Sequence, residues 1–144
     1  MTEWIDRLYA GRFLAVFVAC AATVMLAIAK VFVSPAFPPP SFTAVFFVPL
    51  VVLYFVGVPA FLGITLIMIP TQTLVKTRSV AIRSFAVMVA NCLFVDGLWA
   101  VGVLPGEYYG ALSAKDGVRY LAVAAIAAGI WLLSDYLFRR PVDA

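Results

Sequence analysis

The sequence predicts an all-α integral membrane protein, a four-helix bundle with both termini in the cytoplasm. Three observations predict it: 65% of the 144 residues are hydrophobic, only 12% are charged, and the mean hydropathy is +1.10. A soluble domain carries roughly 25% charged residues, so this chain has too few polar side chains to cover a surface that faces water. Its apolar runs are continuous rather than alternating, which disfavours a membrane β-barrel. Helices therefore remain as the way to satisfy backbone hydrogen bonds in lipid.

The chain begins with an arm, residues 1–12, that is predicted to lie in the membrane interface. One face of a short helix there would carry the apolar residues Trp4, Ile5, Leu8 and Tyr9. Glu3 and Arg7 are four residues apart beside that face, a spacing that supports a helical ion pair. Such an amphipathic helix is typical of a segment that lies along a membrane surface.

Four apolar segments are each long enough to cross about 30 Å of hydrocarbon. They are residues 13–33, 43–69, 80–104 and 118–138, and the whole chain, 1–144, is predicted to be a single membrane domain. The second segment is longer than a crossing needs and contains Pro49, Gly57, Pro59 and Gly63. These residues predict a static kink, with a hinge or an unwound binding segment as the alternative.

A removed signal peptide is an alternative interpretation of the first segment. Arg7 and Arg12 precede an apolar run that ends in 27–29, Ala-Ile-Ala, the small-x-small form of a cleavage site. The acidic residues Glu3 and Asp6, together with the length of the run, favour a retained span instead.

The connections between the segments are short. Residues 34–41 contain four prolines and predict a stiff polyproline-like arch. Pro70 is expected to open the loop between the second and third spans, and Ser79 to cap the third helix. The loop at 105–117 carries Tyr108 and Tyr109, which suit the boundary between lipid and water.

Orientation follows from the basic residues. Seven of the ten lie at one end of the predicted bundle: Arg7, Arg12, Lys76, Arg78, Arg83, Arg139 and Arg140. The other three, Lys30, Lys115 and Arg119, belong to the opposite end. The positive-inside rule then places both termini in the cytoplasm, and this compact layout predicts the bacterial inner membrane.

The sequence gives no sign of an enzyme. It contains no histidine, the commonest general base and a common metal ligand, and none of the common nucleotide-binding, hydrolase or metalloprotease motifs. Cys20 and Cys92 lie inside apolar runs without metal-binding spacing. We therefore predict no catalytic residue, no metal, no cofactor and no nucleic-acid partner.

Two ionisable residues inside the spans need an explanation. Lys30 lies about 27 Å along the first helix from Arg12, and Asp96 about 24 Å along the third. These similar depths predict a contact between Lys30 and Asp96. Arg119 is an alternative partner for the carboxylate, and the lysine side chain can also extend to the interface.

Asp96 is also a candidate proton or cation site, with Asn91 and Cys92 nearby. Cys92 and Asp96 share a helix face, whereas Asn91 is rotated by about 140° from Asp96. Asp135 has a simpler interpretation, since Arg139 lies one turn later and Arg12 and Arg83 are within reach. We expect a local salt bridge there.

Small residues recur at helical spacing in two spans. They are Ala15, Ala19, Thr23 and Ala27 in the first, and Ala125 and Gly129 in the fourth. Such stripes allow close helix packing, either within the bundle or with a partner. The predicted function is that of a non-enzymatic membrane protein that forms homo-oligomers or belongs to a larger membrane complex. The alternative is a small transporter or channel component that uses Asp96.

Overall fold

The computed structural model describes residues 2–33, 42–104 and 114–139, and every regular element in these ranges is a helix. Four of the helices are long and apolar enough to cross a membrane, as the sequence predicts. The first span is Phe13–Val33, the third is Val80–Ala100 and the fourth is Ala114–Phe138. The second span, residues 42–74, is a composite helix that includes the apolar stretch Val45–Leu74.

A short helix, Thr2–Tyr9, precedes the first span within the predicted arm. Glu3 and Arg7 are exposed on it. The chain then turns at Gly11, whose φ of 72° lies in the left-handed region that favours glycine. This turn places Arg12 immediately before the first residue of the first span.

The second span is one continuous helix that contains two π-helical segments. It consists of α-helix at Phe42–Val52, Val58–Leu62 and Ile69–Leu74, separated by π-helical segments at Leu53–Gly57 and Gly63–Met68. Each π segment ends one residue before an X-Pro pair, at Pro59 and Pro70. Proline has no N–H, and its ring collides with the carbonyl four residues earlier. Turns that hydrogen-bond over five residues move that carbonyl away, so the prolines produce wide turns rather than an unwound segment.

Three span boundaries differ from the predicted ones. The second span continues past Pro70 to Leu74, because the π-helical segment before it moves the preceding carbonyl away from the proline ring. The third span ends at Ala100 instead of 104, and Gly102 follows with a φ of 79°. The fourth span begins at Ala114 instead of 118.

The third span begins as predicted, with Ser79 as its cap. The Ser79 hydroxyl oxygen accepts a hydrogen bond from the Ile82 N–H at 3.4 Å. The predicted proline arch, the tyrosines Tyr108 and Tyr109, and Arg140 lie outside the described residues.

The spans pack around a square in chain order. The first and third spans each pack mainly against the second and fourth, so they occupy opposite corners. Small residues line the contact between the first and fourth spans, and all of them are buried: Ala15, Ala19 and Thr23 face Ala124, Ala127 and Ala128. Trp131 is the largest fully buried side chain and fills the core between them. In the first span the predicted stripe residues Ala15, Ala19 and Thr23 are buried and help to close the bundle. In the fourth span the predicted Ala125 and Gly129 are only half-buried, and the buried residues are their alanine neighbours.

Candidate functional site

A buried carboxylate, Asp135, joins three of the spans at one end of the bundle. Its Oδ1 lies 3.4 Å from Nε of Arg12, and its Oδ2 accepts a hydrogen bond from Nε2 of Gln72 at 2.9 Å. Nη1 of Arg139 lies 3.9 Å from the same Oδ2. The Arg12 and Asp135 side chains are only 5% and 6% exposed, whereas Arg139 is half-exposed. We call these four residues the Asp135 cluster.

The cluster holds an ion pair in a place where water hardly reaches. Burial lowers the pKa of the Arg12 guanidinium, the charge of Asp135 opposes that shift, and the charge of Arg139 adds to it. A buried charge is tolerated when a partner neutralises it. The cluster therefore ties the start of the first span to the ends of the second and fourth.

The predicted salt bridge of Asp135 is confirmed, with Arg139 and Arg12 as its partners. Sequence reasoning missed Gln72, because it ended the second span before this residue. The available signal was an amide side chain close to the end of an uncharged apolar segment, where a polar group needs a partner.

A second polar contact at this end involves the N-terminal helix. The Tyr9 hydroxyl donates a hydrogen bond to the backbone carbonyl of Thr65, inside the second π segment. In that segment the Ile69 N–H binds the carbonyl of Ile64, five residues earlier. The next N–H in this register would belong to Pro70, which has none. Tyr9 thus supplies the donor that the proline cannot give to the carbonyl of Thr65.

Asn91 lies in the middle of the bundle and is almost completely buried. Its Nδ2 donates to the carbonyl of Ala124 at 2.8 Å. Its Oδ1 lies against Gly63, where an added Cβ would approach that oxygen to 2.9 Å. The glycine is therefore needed for close approach of the second and third spans.

A small cavity of about 70 Å³ adjoins Asn91 between the spans. Its walls are mainly apolar, with Thr23, Asn91 and Tyr120 as the polar residues. The Thr23 hydroxyl donates to the carbonyl of Ala19 in its own helix, at 2.8 Å. The cavity has room for a few water molecules, and no charged side chain lines it.

The other predicted site residues on the third span face differently from Asn91. Sγ of Cys92 lies 3.8 Å from the carbonyl of Leu121 on the fourth span. Asp96, one turn later, is partly buried, and its Oδ1 is enclosed with no hydrogen-bond partner among the described residues. Asn91 and Asp96 therefore do not line a common polar site.

Lys30 and Asp96 do not form the predicted pair. Lys30 is exposed on the first span, and the ion pairs within the described ranges do not include it. The reason is the arrangement of the helices, because the first and third spans occupy opposite corners of the square. Equal depth along two helices does not make them neighbours.

The Asp135 cluster is suited to holding helices together, whereas Asp96 has no ion pair or hydrogen bond to the described residues. Within residues 2–33, 42–104 and 114–139, no three His, Cys, Asp or Glu side chains are grouped so that they could hold a metal ion. No protein-family model, curated protein or solved structure matches the chain.

Proposed function

We propose that this chain is a small non-enzymatic membrane protein that works as part of an assembly, as a homo-oligomer or an accessory subunit of a larger membrane complex. The observation that carries the proposal is the unpaired carboxylate of Asp96. An ionised side chain at the centre of a bilayer costs at least about 2.5 kcal/mol, and part of this cost applies to Asp96, which lies four residues before the end of the third span. A group that has no partner among the described residues of its own chain is stabilised when another chain supplies one.

The surface of the bundle also supports assembly. Only 11% of the second and third spans' apolar windows is buried inside the chain, and no more than 33% of any span's. Four helices of this size leave most of their surface to lipid or to further helices. The Asp96 side of the third span includes Leu93 and Gly97, which are exposed.

A transporter or channel component is the second candidate, with Asp96 as a proton or cation site. The small cavity beside Asn91 favours it, because the cavity has room for a few water molecules between the spans. Asp96 does not line this cavity, so Asn91 and the carboxylate would act at separate points of a path, with Cys92 on the helix face of Asp96. A chain of this size encloses little space alone, so this candidate also requires several copies.

Purification in a mild detergent separates these proposals. We expect a complex clearly heavier than the 15.6 kDa chain, containing further copies or a copurifying membrane protein. A monomer both in detergent and after crosslinking in the native membrane would overturn the assembly proposal. Ion or proton uptake by reconstituted vesicles, abolished in Asp96→Asn while the fold persists, would favour transport instead.

We further propose that the Asp135 end faces the cytoplasm of a bacterial inner membrane. The contact of Arg12 with Asp135 places the start of the first span and the end of the fourth at the same end of the bundle. Lys76 and Arg78 lie at that end too, because their turn follows the second span, whose Gln72 contacts Asp135. Basic residues at one end favour a cytoplasmic location. Labelling of Lys76→Cys by a membrane-impermeant thiol reagent in intact cells would contradict this orientation, whereas labelling only after permeabilisation agrees with it.

A further inference from the structure

Lys30 and Asp96, which have no ion pair within the described residues, have opposite charges and lie at similar depths. The first and third spans both begin at the Asp135 end, because Arg12 lies in that cluster and Val80 follows the turn after Gln72. Counting at 1.5 Å per residue, Lys30 lies about 25 Å from Phe13 and Asp96 about 24 Å from Val80. A neighbouring copy in the same orientation would therefore present its lysine at the level of this carboxylate.

Within one chain the two residues are kept apart. They belong to spans at opposite corners of the square. Lys30 is exposed, and it has no ion pair or hydrogen bond to the part of the chain that the structure describes. Asp96 is partly exposed at the surface of the third span. Within the described residues, neither charge therefore has a partner.

The surface beside Asp96 allows another helix to come close. Gly97 is exposed, and a Cβ built on it would meet nothing within 4 Å. The flanking residue Leu93 is 70% exposed. Around Lys30 the first span exposes Leu26 and Val33. Both charges therefore have exposed apolar neighbours.

We propose that Lys30 of one copy pairs with Asp96 of a second copy, so that the first span of one molecule packs beside the third span of the next. This inference rests on the proposed assembly function and names the contact that holds the copies together. Because the two residues lie on spans at opposite corners, the interface joins two different surfaces of the molecule. Such a head-to-tail contact, repeated around an axis normal to the membrane, forms a ring when its rotation closes. Rotation about that axis keeps every copy at the same depth.

Charge exchange between copies tests the pairing. Copies that carry Lys30→Asp place two carboxylates at each contact, and copies that carry Asp96→Lys place two ammonium groups there. Like charges at an interface strongly oppose association, so we expect each variant alone to lose at least about tenfold in association constant. Co-expressed and separately tagged, the two variants should associate with each other, because the aspartate at position 30 then meets the lysine at position 96, and the unchanged residues pair as before.

A crosslinking experiment does not depend on those variants folding normally. In a background of Cys20→Ala and Cys92→Ala, one tagged copy carries Lys30→Cys and a second carries Asp96→Cys. We expect crosslinked heterodimers in native membranes. The matched control replaces Lys30→Cys by Ala29→Cys, an exposed neighbour rotated by about 100° around the helix, and it should crosslink several-fold less.

The outcomes separate this inference from the proposed function. If the wild-type chain associates but both charge variants associate equally well, or the control cysteine crosslinks as efficiently, the pairing is wrong and the assembly proposal stands. A wild-type chain that is monomeric in the membrane refutes both. Heterodimers formed only by the mixed variants support the pairing.

Discussion

The two ends of the bundle each contain an aspartate, and the two carboxylates have opposite surroundings. Asp135 has two arginines and a glutamine around its carboxylate, while Asp96 has no hydrogen-bond partner among the described residues. The difference lies in what the other spans supply at each level. Arg12 comes from an adjacent span, and Gln72 reaches Asp135 from the opposite corner of the square, whereas Lys30, also on the opposite corner from Asp96, does not reach it. The comparison indicates that the Asp135 end holds three spans together, whereas the described residues leave the Asp96 carboxylate without a partner.

The largest effect is expected at Asp135. Replacing it by alanine leaves Arg12 buried without its carboxylate, and loss of one partner of a buried pair costs about 3–5 kcal/mol. The unfolding of purified protein in mild detergent, followed by circular dichroism, measures this change. Arg139→Ala is the control, since its guanidinium is half-exposed and an exposed pair contributes about 0–1 kcal/mol. Equal losses in the two variants would mean that the Arg12 contact does not hold the bundle.

A smaller effect is expected at Tyr9, at the same end. Tyr9→Phe removes the donor to the carbonyl of Thr65 and should reduce the free energy of unfolding by about 1–2 kcal/mol. Pro70→Ala provides a backbone N–H for that carbonyl, so the loss caused by Tyr9→Phe should shrink in this background. A double-mutant cycle measures the coupling. Independent effects would show that the hydroxyl and the proline do not serve the same carbonyl.

The sequence was sufficient to predict what depends on position along one helix. Continuous hydropathy predicts the four spans, and the spacing of Asp135 and Arg139 predicts their ion pair. Ser79 predicts the start of the third span because its capping contact is local. These features follow from residues within a few turns of each other.

The sequence does not predict features that depend on which spans are adjacent in the bundle. Depth along a helix is countable, but hydropathy does not say which spans are adjacent, and so equal depth did not bring Lys30 and Asp96 together within the chain. Pro59 and Pro70 predict a local disturbance, yet whether the helix kinks or widens depends on its packing. The π segments, and the hydrogen bond from the Tyr9 hydroxyl to the carbonyl of Thr65 in one of them, are therefore seen only in the structure.

The smallest loss of stability is expected at Asp96. Asp96→Asn keeps the shape of the side chain and removes a charge that has no partner among the described residues, so the free energy of unfolding of the monomer should not fall, and it should rise to the extent that the unpaired charge is costly. Asp135→Asn is the matched control, because the same change there removes the counter-charge of Arg12. Both variants are compared at a dilution where the chain is monomeric, since association stabilises the folded state. If Asp96→Asn were as damaging as Asp135→Asn, the carboxylate of Asp96 would be part of the fold itself. Its charge would then be no reason to expect a second chain.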